Sequence, residues 1–69
     1  MTLGERIKMA RNKKGLSQAE LARVCDLTQH TICYYERDEW EPSLFNMTSI
    51  AVALDVSLDW LVGRTEVMK

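Results

Sequence analysis

The sequence predicts an all-α domain built from five short helices. A hydroxyl residue precedes a glutamate by three positions at Thr2–Glu5 and again at Ser17–Glu20, which is the spacing of the capping box that starts a helix. Apolar residues recur every three to four positions, and no segment shows the alternation of a strand. With 69 residues, we expect a single compact domain.

The first helix is predicted to begin after Thr2 and to end at Gly15, because glycine readily adopts the left-handed conformation that closes a helix. The second is predicted to begin after Ser17 and to continue through Cys25. Apolar residues recur along both helices: Leu3, Ile7 and Ala10 in the first, and Leu21, Ala22 and Val24 in the second.

Three more helices are predicted in the second half of the chain. The third runs from its cap, Thr28, to about Arg37, and an acidic loop over 38–42 follows it. The fourth begins after Ser43, and its apolar positions repeat at helical spacing: Leu44, Met47, Ile50, Ala51 and Leu54. The fifth covers Leu58 to Val62, so the ordered core is expected over about residues 2–63 and a frayed tail over 64–69.

Composition excludes several classes of protein. The hydrophobic content of 46% favours a folded chain, and no apolar run approaches the roughly 18 residues of a membrane span. Two cysteines without a secretory pattern favour reduced thiols and a cytoplasmic location. Cys25, His30 and Cys33 lack a fourth ligand, so we expect no metal and no cofactor. A single histidine without a catalytic partner indicates that the chain is not an enzyme.

Residues 18–37 fit a helix-turn-helix, in which two helices of about eight residues are joined by a short turn. Ala22 is small where the helices would cross, Asp26 tolerates a sharp bend, and Ile32 and Tyr35 face inward. The outward side of the second helix is mostly polar and can hydrogen-bond bases or phosphates: Thr28, Gln29, His30, Thr31, Cys33, Tyr34 and Arg37. Nine helical residues span about 13 Å, which suits a major groove about 12 Å wide.

Five segments of the chain resemble the Xre family, the helix-turn-helix class of Cro and the phage lambda-type repressors. They are Gly4–Ile7, Gly15–Ala22, Tyr35–Arg37, Glu41–Ser43 and Val56–Leu61. The resemblance covers about residues 3–63. It implies a lambda repressor-like fold and a sequence-specific regulator of transcription, a repressor of phage or bacterial origin, that binds double-stranded DNA.

The resemblance also implies roles for individual residues. Those expected to read base edges are Gln29, His30 and Tyr34, and those expected to contact phosphates are Ser17, Gln18, Thr28, Thr31 and Arg37. Arg11 and Glu36 match positions that form a buried ion pair in relatives. The alternatives are that Tyr34 covers the edge of the core and that Gln29 and His30 are ordinary exposed helix residues.

Two features depart from the family pattern. Asp26 stands where the family usually has glycine, and the loop over 38–41 is acidic where relatives often carry glycine and basic residues. Carboxylates there would repel phosphate, so either the loop tilts away from DNA or the non-specific affinity is low. The acidic loop and Trp40 motivate an alternative function, a protein-interaction module such as an antitoxin or phage adaptor.

One recognition helix covers few base pairs, so we expect a homodimer on a palindromic operator, with half-sites about 34 Å apart. The candidate dimer seam consists of Val56, Leu58, Trp60, Val62 and Val67. The alternative is that the fifth helix packs onto the core, which would bury Leu61 and at least part of Trp60. No small-molecule effector is expected.

The net charge of −1 divides unevenly, because residues 1–25 carry six basic and two acidic groups and residues 26–69 carry three basic and eight acidic groups. Such a polarised chain can turn its basic side to phosphate.

Overall fold

Five helices and no strands make up the computed structural model, which describes residues 1–69. The helices are α1 (Leu3–Lys14), α2 (Gln18–Val24), α3 (Gln29–Glu36), α4 (Leu44–Leu54) and α5 (Leu58–Leu61). The all-α prediction is confirmed, and the boundaries lie within about one residue of those expected from the caps. None of the helices has the length and apolar character needed to cross a membrane.

Each helix begins directly after a serine or threonine whose hydroxyl oxygen accepts a backbone N–H three residues further on. These N-caps are Thr2, Ser17, Thr28, Ser43 and Ser57. The first two form complete capping boxes, since the glutamate side chain also accepts the backbone N–H of the cap. The hydrogen bonds that Glu20 accepts from Ser17 lower the pKa of that carboxyl below its usual value.

The core joins all five helices through eleven buried side chains: Ile7, Ala10, Leu21, Ala22, Ile32, Tyr35, Ile50, Ala51, Leu54, Trp60 and Leu61. One inward position of α4 is wrongly predicted, because Leu44 is 67% exposed. Helical spacing places Leu44 on the same side of α4 as Met47 and Ala51, yet its side chain remains open to solvent at the start of the helix. The Asn46 side chain, in the same first turn, donates to the Tyr35 hydroxyl at 3.0 Å and ties α4 to α3.

The first turn of α1 packs directly on the end of α3. A Cβ atom placed on Gly4 would lie 2.5 Å from the carbonyl oxygens of both Tyr35 and Glu36. Such a distance is shorter than any allowed contact, so the position requires glycine for steric reasons. The side chain of Asp38 adds to this junction by accepting the Gly4 N–H at 2.9 Å and the Thr2 hydroxyl at 2.6 Å.

A buried ion pair joins α1 to α3. The Arg11 Nε and Nη2 atoms donate to the two carboxylate oxygens of Glu36 at 2.6 and 3.1 Å, and Arg11 Nη1 donates to the Leu16 carbonyl at 2.8 Å. The Gln18 side chain donates a third hydrogen bond to the Glu36 carboxylate at 3.1 Å. The pair that the family resemblance implies is therefore present, and it links three helices.

Several residues of the C-terminal segment contact the rest of the domain. The Ser57 N–H donates to the Met68 carbonyl at 2.6 Å, and the Met68 side chain packs against the core. The Lys69 ammonium lies 2.6 Å from the Asp55 carboxylate and lowers the pKa of that carboxyl below its usual value. Glu66 pairs with Arg6 at 3.2 Å. Because these contacts come from residues distant in sequence, local pattern could not predict them.

Candidate nucleic-acid interface

The helix-turn-helix is formed by α2, a sharp turn over residues 25–28, and α3. Asp26 adopts a left-handed backbone with φ of 57°, as its place in the turn requires. The Leu27 N–H donates to the Ala22 carbonyl at 2.8 Å and closes the turn. Ala22 of α2 is buried between the helices, and Ile32 is fully buried on the inward side of α3. The polar side of α3 consequently faces outward.

Two candidate base-reading residues, Gln29 and His30, are exposed in the first turn of α3. Neither side chain has a hydrogen-bond partner within the domain, so their donors and acceptors are available to a ligand. The third, Tyr34, lies one turn further along and is half-buried. Its ring centroid is 6.5 Å from that of His30, which places the two on one strip of the helix surface.

The loop after α3 folds against this strip. The Trp40 and Tyr34 ring centroids are 4.5 Å apart with the planes tilted by 42°, and Trp40 remains 53% exposed. The Glu39 N–H donates to the Tyr34 carbonyl at 2.9 Å and holds the start of the loop on the end of α3. Trp40 therefore packs against Tyr34 at the edge of the outward strip of α3.

Three of the candidate phosphate-contacting residues are engaged in local hydrogen bonds. Ser17 and Thr28 cap α2 and α3, and the Thr28 and Thr31 hydroxyl oxygens lie 2.9 Å apart. Their helix starts carry unpaired backbone N–H groups and the positive end of the helix dipole, which favour an anion nearby. A phosphate would therefore meet backbone donors there as well as hydroxyls.

The remaining candidates, Gln18 and Arg37, both have acidic partners in the structure. One N–H of the Gln18 amide is used on Glu36, which leaves the second N–H for another acceptor. Arg37 lies 2.6 Å from the Glu39 carboxylate, 3.9 Å from the Cys33 sulfur and 5.8 Å from the Tyr34 ring centroid. The hydrogen bond to Cys33 and the charge of Glu39 raise the pKa of Arg37 above its ordinary value.

The cysteines and the histidine do not form a cluster. No three His, Cys, Asp or Glu side chains in the structure come together in a way that could hold a metal ion. Cys25 is half-buried at the end of α2, and burial raises the pKa of its thiol. Cys33 lies within α3 and points toward Arg37. Both cysteines are free thiols.

The candidate dimer seam needs correction. Trp60 is only 2% exposed and belongs to the core, where Arg6 lies over its ring at 5.0 Å. Val56 and Leu58 are partly buried, whereas Val62 and Val67 remain exposed. Helical spacing says little about a helix of only four residues, and the burial of α5 comes from its packing against α4 and α1.

An apolar surface that sequence reasoning missed lies on α4 and the adjoining end of α2. We call it the α4 face, and its members are Val24, Leu44, Phe45 and Val52, each more than 60% exposed. Val24, Phe45 and Val52 line one shallow groove. The helix α4 contains no charged residue. The sequence does carry a signal for this surface, because α4 has no charged residue and has apolar residues in addition to those that face the core.

Together, the crossing of α2 and α3, the outward polar strip and the buried ion pair define a helix-turn-helix domain of the lambda-repressor type. A family model described as Helix-turn-helix matches residues 7–61. The chain belongs to this helix-turn-helix family.

Similar proteins include phage and bacterial regulators. The HTH-type transcriptional regulator ImmR of Bacillus subtilis (strain 168) is 36% identical over 69 residues, which are 100% of this chain and 54% of ImmR. The immunity repressor protein of Bacillus phage phi105 is 35% identical over 100% of this chain and 48% of the repressor. The chain thus spans about half the length of these two relatives.

Among solved structures, the P22 c2 repressor in complex with a synthetic operator superposes with a TM-score of 0.89 at 32% identity, over 94% of this chain and 98% of that chain. The biofilm regulator SinR in complex with DNA superposes with a TM-score of 0.82 at 33% identity, over 87% of this chain and 97% of that chain. The likeness therefore extends over almost the whole domain.

Proposed function

We propose that the chain is the DNA-binding domain of a transcriptional repressor, which places α3 in the major groove of its operator. The observation that carries this proposal is the outward strip of α3. Gln29 and His30 are exposed there without partners inside the domain, and Tyr34 lies on the same strip. Regulators of similar sequence, and neighbours of similar structure solved on operator DNA, support it.

Each residue on this surface has a distinct role in the proposal. Gln29 can make a bidentate contact with adenine, since its amide presents a donor and an acceptor side by side. His30 and Tyr34 contact neighbouring base edges or sugars. The starts of α2 and α3, with Ser17 and Thr28, bind phosphates and set the register of the domain on the duplex.

The experiment that tests this function is selection of bound duplexes from random DNA, followed by fluorescence anisotropy on the selected site and on a scrambled duplex of the same composition. We expect the selected site to bind at least about a thousandfold more tightly, as is typical of specific regulators. Equal affinity for both duplexes would overturn the proposal. A purified chain that binds a protein partner and no DNA would favour the protein-interaction module instead.

We further propose that two copies bind a palindromic operator and contact each other through the α4 face. A two-fold axis brings the same surface of both copies together, and residues close to the axis lie near their own copies. A face without charges can therefore meet itself without like-charge repulsion. The uncharged α4, with Phe45 79% exposed and Val52 76% exposed, has this property.

Sedimentation of the chain bound to the selected duplex tests the dimer. We expect Val52→Lys to prevent binding of the second copy while leaving the fold intact, because Val52 does not contribute to the core. The control is Val67→Lys, which places the same charge on an exposed valine of the C-terminal segment. If only Val67→Lys prevents pairing, the seam lies on that segment and the α4 proposal is wrong.

A further inference from the structure

Arg37, the residue that caps the C-terminal end of α3, is paired with a carboxylate of the domain itself. The Arg37 Nη2 atom lies 2.6 Å from the Glu39 carboxylate, and both side chains are accessible to solvent, with exposures of 59% and 44%. Arg37 also lies over the Tyr34 ring on the outward strip. The pair therefore sits at the edge of the surface that would face DNA.

Backbone hydrogen bonds hold the main chain of both residues on the end of α3. The Arg37 N–H donates to the Cys33 carbonyl at 3.1 Å, and the Glu39 N–H donates to the Tyr34 carbonyl at 2.9 Å. Asp38, between them, adopts a left-handed backbone with φ of 58°. Both partners are consequently held on the end of α3, and Glu39 is within reach of Arg37 without any movement of the loop.

We propose that Glu39 competes with DNA phosphate for the Arg37 guanidinium and thereby lowers the affinity of the domain for DNA of every sequence. This inference rests on the proposed function, because it assigns a residue that tunes the same interface. A phosphate that approaches Arg37 must displace the Glu39 carboxylate or remain beside its negative charge. Either way, one cation of the interface contributes less counterion release than an unpaired arginine would.

The neighbouring acidic residues do not share this role. The Asp38 carboxylate is occupied by the Thr2 hydroxyl and the Gly4 N–H, which lie on the α1 side of the junction. Glu41 is exposed and forms no ion pair. Glu41 therefore provides a matched control, since it carries the same charge on the same loop without contacting Arg37.

The test compares Glu39→Gln with Glu41→Gln by anisotropy on a random-sequence duplex over a series of salt concentrations. We expect Glu39→Gln to steepen the dependence of log K on log salt by about 0.9, the value for one additional neutralised phosphate. At a fixed low salt concentration, its affinity should rise about fivefold, corresponding to the roughly 1 kcal/mol between unit charges 4 Å apart in water. Glu41→Gln should leave the slope unchanged.

A second comparison isolates the pair. In the Glu39→Gln background, Arg37→Ala should cancel the gain, because the released guanidinium is then absent. Equal slopes for the two glutamine variants, or a gain that persists without Arg37, would overturn the inference. The selected operator is titrated first with the unmodified chain. If the unmodified chain does not bind the selected operator, the proposed function is wrong. If it binds the operator but Glu39→Gln and Glu41→Gln have the same salt dependence, only the role of Glu39 is contradicted.

Discussion

Replacing Arg11 with methionine should remove a large part of the stability of the domain. The Glu36 side chain is only 3% exposed and would keep a single side-chain donor, the Gln18 amide, after losing two hydrogen bonds from Arg11. Removing one partner of a buried pair typically costs about 3–5 kcal/mol, since the remaining charge is buried without compensation. A chain of 69 residues is expected to have a total stability of roughly 3–10 kcal/mol, at about 0.05–0.15 kcal/mol per residue.

Urea denaturation followed by far-ultraviolet circular dichroism measures this loss. The informative control is the double replacement of Arg11 and Glu36 by methionine, which removes both charges and keeps apolar volume at the α1–α3 junction. We expect the double variant to be more stable than Arg11→Met, because apolar substitutes for a buried pair are often neutral or stabilising. A cost below about 1 kcal/mol for Arg11→Met, the value of an exposed pair, would refute the reasoning. A double variant that is less stable than Arg11→Met would also refute it.

Three further predictions concern packing, recognition and pH. Gly4→Ala should destabilise the domain by at least about 1–3 kcal/mol in the same urea assay, because the added methyl group meets two carbonyl oxygens of α3; an unchanged midpoint would contradict the close approach. On the selected operator, Gln29→Ala should cost about 1–3 kcal/mol of binding free energy and relax the preference at one base pair. Gln18→Ala should weaken binding to all sequences alike. If Gln29→Ala instead loses the same binding free energy on every sequence, Gln29 does not read a base. Since Lys69 lowers the pKa of Asp55, the contact between them stabilises the fold above the ordinary carboxyl pKa and is lost as pH falls through the lowered pKa. Nuclear magnetic resonance of the C-terminal segment should show its release in acid. The Asp55→Asn variant should abolish that pH dependence.

Much of the fold is encoded locally and could be predicted. The N-caps act within three residues of themselves, so Ser17 and Thr28 identify the starts of α2 and α3 without knowledge of the rest of the chain. The turn between them depends on one left-handed residue, Asp26, whose side chain tolerates that conformation. The polar strip of α3 also follows from spacing, once Ile32 is known to face inward.

Contacts between distant segments could not be predicted from local pattern. Leu44 has the spacing of a core residue but is mostly exposed. Trp60, a candidate for the dimer seam, is buried in the core with Arg6 of α1 over its ring. The acidic loop was expected either to tilt away from DNA or to reduce affinity. The structure adds a specific partner, because Glu39 is paired with Arg37 at the edge of the recognition strip.

The most direct test of the central claim is a map of the DNA contact by amide nuclear magnetic resonance, with the labelled chain titrated with its selected duplex. We predict that the largest shift changes fall on residues 17–18 and 28–37, the starts of the two motif helices and the outward side of α3. Amides of α4 should change less and only when a second copy binds. Shift changes confined to α4 and α5, with residues 28–37 unaffected, would contradict the placement of α3 in the major groove.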